Sequence, residues 1–244
     1  MQPEQQQGGQ APQARQAPPE PFRRRLGNFL ARTVNRFRFV LLGILIAAAA
    51  LLVGYFIYNE INKKLIRDST VLSEGAQDLF DTWQSEQDAA KKAGLEKDLR
   101  DQLDRLVARY PRQYGGQRGL FLRADLNFEG KSWDAAIKDS LALAERFPAS
   151  YLAPISLFNA AVSNEEKGDR DSALALYVKV SASYKDSAVA PRALFNAGRI
   201  DEEKGGFEEA RKKYEQLDAD YPFSSWAKLA KNRVIALKVQ GKIK

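Results

Sequence analysis

The sequence predicts an all-α protein in which helical hairpins of one repeated type form an elongated array, preceded by one membrane-spanning helix. The first observation is an aromatic residue followed three positions later by Ser, repeated every 37 residues at Phe147–Ser150, Tyr184–Ser187 and Tyr221–Ser224. The second is a single uncharged segment of 20 residues near the N-terminus. Repetition at a period between about 20 and 50 residues is typical of arrays in which each unit buries its apolar surface against its neighbours.

The composition excludes several classes of function. The chain has no Cys and no His, which argues against thiol catalysis, disulfide frameworks and the usual zinc ligands. Residues 1–38 hold seven Arg and two Glu, a balance of +5, whereas the 186 residues after the uncharged segment hold 31 basic and 29 acidic groups. The basic character therefore belongs to the N-terminal segment, and it does not indicate a nucleic-acid-binding domain.

The N-terminal segment divides into two parts. Residues 1–22 are rich in Gln and contain five Pro, a composition that buries too little apolar surface to offset the entropy of ordering, so we expect a disordered tail. Residues 23–38 combine Arg with Leu26, Phe29 and Leu30. This pattern predicts a basic juxtamembrane segment that lies along an anionic membrane surface.

Residues 39–58 form the predicted transmembrane helix. As a helix, 20 residues span about 30 Å, the thickness of the hydrocarbon core of a bilayer. A cleaved signal peptide is the alternative, because Ala48–Ala50 supplies small residues. The apolar run continues for eight residues beyond Ala50, which favours an uncleaved signal anchor.

The charges that flank this helix predict its orientation. Seven Arg precede it, whereas Lys63, Lys64 and Arg67 follow it closely. The excess of positive charge places the N-terminus in the cytoplasm and residues 59–244 on the other side of the membrane. Because the following segment is also basic, an orientation with the repeats in the cytosol stays open.

After the anchor we expect a helical linker over residues 59–74 and the repeat array over residues 75–244. Each Pro beyond the tail falls at a junction between units, where it ends one helix or starts the next. In the third unit the pattern predicts helices from about Ser150 to Lys167 and from the Gly168 turn to about Ser183. Ser150, Ser187 and Ser224 are candidate N-caps, and an amphipathic helix after Ser224 would cap the array.

The repeats resemble the tetratricopeptide repeat (TPR). The small residue of the first helix, the turn glycine, and the small and aromatic residues of the second helix stand at matching positions: Ala124, Ala161 and Gly198; Gly168 and Gly205; Ala136, Ala173 and Ala210; Tyr177 and Tyr214. The small residues allow the two helices of a hairpin to approach closely. The resemblance covers residues 75–240, and the anchor makes the chain similar to bacterial TPR proteins associated with the Sec translocon or with envelope assembly.

The resemblance also implies a concave groove lined by the first helix of each unit. Some TPR proteins hold a peptide carboxylate there with Lys, Arg and Asn side chains. The candidate peptide groove contains Asn159, Arg192, Asn196 and Arg199, which resemble half of such a clamp. The preceding unit has Phe121 and Asp125 at the corresponding positions, and a solvated polar face is the alternative for all four residues.

No pattern indicates an enzyme, a metal site or a cofactor. The acidic pairs Glu165-Glu166 and Glu202-Glu203 each precede Lys-Gly at the end of a helix, which is typical of solvated surface. We therefore expect a membrane-anchored scaffold or adaptor that binds proteins or peptides at the extracytoplasmic face of the bacterial inner membrane. The resemblance implies translocon, chaperone or envelope-assembly partners, and the alternative is a self-associating structural spacer.

Overall fold

The computed structural model describes residues 22–244, apart from the side chains of residues 33–35. The predicted disordered tail therefore lies outside the described residues, except for Phe22, where helix α1 begins. Helix α1 runs without interruption over Phe22–Ser85, so the predicted juxtamembrane segment, transmembrane segment and linker are all helical. By contacts between Cα atoms the chain divides into two units, which meet between Glu60 and Ile61.

The first unit contains the apolar part of α1. Its side chains from Phe39 to Tyr58 are exposed. The helical stretch Arg36–Ser85 includes an 18-residue window with a mean hydropathy of 2.7, none of it buried. By length and composition, this part of the chain can cross a membrane.

The second unit, Ile61–Lys244, is built of helices that pack mainly against their neighbours in sequence. Within residues 22–244 there is no β-strand, and the predicted all-α solenoid of helical hairpins is confirmed. After α1 the helices are α2 Ala89–Arg109, α3 Tyr114–Glu129, α4 Trp133–Arg146, α5 Leu152–Lys167, α6 Arg170–Ser183, α7 Ala190–Glu203, α8 Phe207–Asp220 and α9 Ser225–Val239.

The aromatic residues of the 37-residue pattern end the second helix of each hairpin. Phe147, Tyr184 and Tyr221 are all C-caps, as is Tyr110, which lies 37 residues before Phe147. Each backbone N–H donates to the carbonyl four residues earlier. The Tyr184 hydroxyl donates to the Pro148 carbonyl at 3.3 Å, and the Tyr221 hydroxyl to that of Lys185 at 3.0 Å. These two tyrosines thus link each of the last two junctions to the one before it.

The predicted N-cap serines are confirmed only at the last junction. Ser224 caps α9, and its side chain accepts a hydrogen bond from the Trp226 N–H. At the two earlier junctions the N-caps are Tyr151 and Val189. Ser150 and Ser187 lie one and two residues before these N-caps. Their hydroxyls nevertheless accept hydrogen bonds from the N–H groups of Leu152 at 3.0 Å and Val189 at 3.4 Å, as the Ser224 hydroxyl does from Trp226.

Small residues between the hairpin helices set how closely the helices approach. Ala161 and Ala173 are fully buried beside Tyr177. At the equivalent position in the next hairpin, a Cβ on Gly198 would lie 2.7 Å from Cε1 of Tyr214. The Tyr214 ring therefore packs directly against the α7 backbone at Gly198 and leaves no room for a side chain in its present position. Gly168 takes the left-handed conformation with φ of 90° at the end of α5, as a helix-terminating glycine commonly does.

The C-terminal part of α1 is the first packed helix of this unit. Phe80 and Trp83 share a core with Leu99, Leu103 and Leu106 of α2. Leu65 and Leu72 pack against the same core, so much of the predicted linker 59–74 contributes to packing. Residues 75–85, where the array was predicted to begin, continue this helix.

Candidate functional site

The first helices of three successive hairpins, α3, α5 and α7, supply most of the walls of one cleft. Its volume is about 270 Å³, enough for one or two side chains of a bound chain rather than for a drug-sized molecule. The walls combine aromatic, aliphatic, acidic, amide and basic groups: Ala124, Asp125, Phe128, Ser140, Phe158, Asn159, Val162, Ser163 and Arg192.

The acidic group of the cleft is Asp125, on α3. The Asn159 side-chain amide, on α5, donates to Asp125 Oδ1 at 3.4 Å. Burial raises the pKa of Asp125 to about 6, and the nearby charge of Arg118 opposes this shift only in part. The cleft therefore holds an incompletely compensated carboxylate, whose charged form a cationic or N–H donor would stabilise.

The basic group of the cleft is Arg192, at the start of α7. Its guanidinium carbon lies 4.7 Å from the centroid of the Phe158 ring and 5.7 Å from that of Trp226. Among the described residues, no carboxylate pairs with Arg192. Stacking on aromatic rings holds the guanidinium in place and leaves its N–H groups able to donate to a ligand.

Arg199, in contrast, is already paired. It donates to Glu165 at 2.5 Å and to Glu203 at 2.6 Å. The Tyr177 hydroxyl donates to the same Glu165 at 2.6 Å. Burial, together with this hydrogen bond, raises the pKa of Tyr177, so the hydroxyl remains a donor. These contacts make Arg199 part of a bridge between α5 and α7.

The four residues of the predicted groove are thus distributed over different environments. Asn159 and Arg192 line the cleft described above. Arg199 lines a separate cleft with Glu202, Arg233 and Lys242. Asn196 lines neither cleft.

Sequence reasoning did not select Asp125 as a site residue. Asp125, Val162 and Arg199 occupy one position of the repeat, separated by 37 residues each. A carboxylate clamp uses Lys, Arg and Asn side chains, so the acidic Asp125 does not fit that pattern. The shared repeat position is the sequence signal that could have identified Asp125, because this position faces the same side of α3, α5 and α7. Three different side chains there change the chemistry from unit to unit.

The acidic pairs have structural partners. The Tyr214 hydroxyl donates to Glu202 at 3.1 Å, and Arg233 Nε donates to the same carboxylate at 3.2 Å. This repeats the arrangement of Tyr177, Glu165 and Arg199 one unit earlier. Within residues 22–244, no group of three or more His, Cys, Asp and Glu side chains is arranged to hold a metal ion.

Comparison with known families finds the tetratricopeptide repeat at residues 156–187 and 192–224. These segments begin inside α5 and α7 and end at the following junctions. Comparison with curated proteins gives no match. Fold and match together define the class, an all-α solenoid of the TPR type. TPR domains mediate protein–protein interactions, so the chain's role at this level is that of a protein-binding scaffold.

Proposed function

We propose that the cleft between α3, α5 and α7 binds an extended segment of another protein. The observation that carries this proposal is the presence of an acidic group, Asp125, and a basic group, Arg192, in one cleft walled by the Phe128 and Phe158 rings. An extended backbone offers N–H and C=O groups in alternation. Asp125 accepts from the former, Arg192 donates to the latter, and the amide of Asn159 can do both.

The volume and the walls of the cleft specify the ligand further. An apolar side chain of the ligand would contact Phe128, Phe158 and Val162. A neighbouring Lys or Arg of the ligand would pair with Asp125, whose charged form lacks a full set of partners. Arg199 supports this surface by bridging α5 and α7, and Asn196 extends the same face beyond the cleft.

Peptide-array binding tests this assignment. The full-length protein in detergent is expected to select peptides with a basic residue next to an apolar one. Asp125→Asn should remove the preference for the basic residue, and Arg192→Ala should weaken binding of all selected peptides by about tenfold, equivalent to about 1.4 kcal/mol. The exposed Lys212, on α8, provides a matched control, because Lys212→Ala removes one positive charge far from the cleft. Selection that is unchanged in both cleft variants would refute the proposal.

We further propose that α1 anchors the scaffold in a bacterial inner membrane with residues 59–244 on the extracytoplasmic side. The Arg-rich segment before the apolar stretch supports this orientation. Anchoring raises the local concentration of the cleft near membrane partners, which suits translocon, chaperone or envelope-assembly components. Since the chain has no Cys, Gln240→Cys gives a single site for labelling with a membrane-impermeant maleimide. Labelling in intact spheroplasts supports this topology, and labelling only after lysis contradicts it.

A further inference from the structure

The packed end of α1 carries an acidic surface. Residues 68–88 contain six acidic side chains and no basic one: Asp68, Glu74, Asp78, Asp81, Glu86 and Asp88. Glu74, Asp78 and Asp81 are exposed at i, i+4 and i+7 on one face of the helix. Val71 lies on the same face and is 64% exposed. We call Val71, Glu74, Asp78 and Asp81 the acidic stripe.

Helix α9 and the residues after it carry the opposite charge. Residues 225–244 contain six basic side chains and no acidic one: Lys228, Lys231, Arg233, Lys238, Lys242 and Lys244. Lys228, Lys231 and Lys238 share one exposed face of α9 with Ile235 and Val239, which are 60% and 84% exposed. These five residues form the basic stripe.

Few partners within the chain neutralise the two stripes. In the basic stripe Lys231 pairs with Asp218 at 2.8 Å, whereas Lys228 and Lys238 have no carboxylate partner among the described residues. In the acidic stripe no basic side chain of residues 22–244 pairs with Glu74, Asp78 or Asp81. Each stripe thus combines an exposed row of like charges with exposed aliphatic side chains.

We propose that the basic stripe of one copy of this chain docks on the acidic stripe of a second copy. Both stripes belong to helices of the unit Ile61–Lys244, α1 and α9, which stand first and last in its helical order. Helices in such arrays pack side by side through rows of residues three and four apart, and both stripes have this spacing. The contact is heterologous, because a symmetric contact of either stripe with itself would oppose like charges.

A second copy is the occupant that accounts for both surfaces. An anionic membrane surface would attract the basic stripe and repel the acidic one. An unrelated acidic protein would likewise leave the acidic stripe of α1 unmatched. Docking between copies pairs Lys with Glu and Asp, and brings Val71 towards Ile235 and Val239. Because Asp125 and Arg192 lie in neither stripe, self-association and peptide binding are separable by mutation.

Heterotypic cysteine crosslinking in membranes tests this contact. The chain contains no Cys, so Asp78→Cys and Lys228→Cys each introduce one thiol at an exposed position. Membranes that contain both full-length variants, treated with a short bismaleimide, are expected to give a dimer of this chain. Membranes that contain only one of them should give at least tenfold less dimer. Dimers formed equally by one variant alone, the absence of dimers, or adducts only with lipid or another protein would overturn the proposal.

Charge reversal tests whether the stripes direct this contact. For this test the cysteine of the basic partner is placed at Asn232 (Asn232→Cys) instead of at Lys228. Adding Lys228→Glu, Lys231→Glu and Lys238→Glu to this chain should abolish the dimer. Adding Glu74→Lys and Asp81→Lys to the Asp78→Cys partner should then restore the dimer. Crosslinking that is indifferent to both changes would overturn the proposal. Stripe variants that still select the same peptides separate this result from failure of the cleft assignment.

Discussion

Packing between α2 and α3 can be tested by adding one methyl group at Gly116. A Cβ at this buried glycine would lie 1.8 Å from the carbonyl oxygen of Tyr110. Carbon and oxygen ordinarily approach to about 3.3 Å, so the backbone of the junction has to move. Tyr110 is 3% exposed, and its N–H is held by the Leu106 carbonyl at 3.0 Å. The junction therefore resists such a shift.

The magnitude follows from two opposing contributions. Overpacking a rigid site costs about 3 kcal/mol, the upper part of the usual range, whereas Ala in place of Gly in a helix stabilises by about 1 kcal/mol. Gly116→Ala should therefore lower the free energy of unfolding by about 2 kcal/mol. The same substitution at Gly94 in α2, where nothing beyond the local helix backbone lies within 4 Å of the added Cβ, should raise it by about 1 kcal/mol.

Thermal unfolding of the full-length protein in detergent, followed by circular dichroism, measures both variants. For a domain of this size, each kcal/mol shifts the midpoint by about 2–4 °C. We expect a decrease of about 4–8 °C for Gly116→Ala and an increase of about 2–4 °C for Gly94→Ala. A Gly116→Ala midpoint equal to or above that of the unchanged protein would refute the close packing of α3 on the end of α2.

The remaining predictions concern the polar contacts of the array. Tyr177→Phe removes the hydrogen bond to Glu165 and should cost about 1 kcal/mol of stability in denaturant unfolding. Arg199→Ala should also lower stability, because it leaves Glu165 without its cationic partner. Arg192→Ala should instead weaken peptide binding with little effect on stability. If each variant changed stability and binding equally, the assignment of Arg199 to structure and Arg192 to binding would be contradicted. Burial raises the pKa of Asp125 to about 6 from its ordinary value of 3.8. Its contribution to stability is therefore present below pH 3.8 and is lost as the pH rises through 6. Asp125→Asn should therefore stabilise the protein at pH 7.5 but not at pH 4, and an equal effect at both values would argue against a raised pKa.

The helices could be predicted from sequence where local signals repeat. Gly168 ends α5 in a left-handed conformation, and the predicted helices ending at Lys167 and Ser183 match the structure. Ser150 and Ser187 lie one and two residues before the N-caps Tyr151 and Val189, although their hydroxyls still accept the N–H groups of Leu152 and Val189. The first residue of a helix depends on backbone hydrogen bonds that the residue type does not specify, so this boundary shifts by one or two residues.

The site was predicted only in part, because the repeat pattern identifies a face but not its partners. Asn159 and Arg192 were predicted to lie on one surface, and both line the cleft. Arg199 has the same kind of side chain as Arg192, yet it pairs with Glu165, which lies 34 residues earlier in the sequence. The repeat position of Asp125 can be identified from sequence, whereas its contact with Asn159 depends on the packing of α3 against α5.

Site-specific photocrosslinking in native membranes tests the central claim, that the face formed by α3, α5 and α7 binds another protein. One full-length variant carries a photoreactive residue at Val162, in the cleft, and a second carries it at Val178, which is 39% exposed on α6. We predict discrete protein adducts from position 162 that disappear when Asp125→Asn and Arg192→Ala are added, and no such adducts from position 178. Adducts that form equally from both positions, or that persist in the cleft variants, would contradict the account.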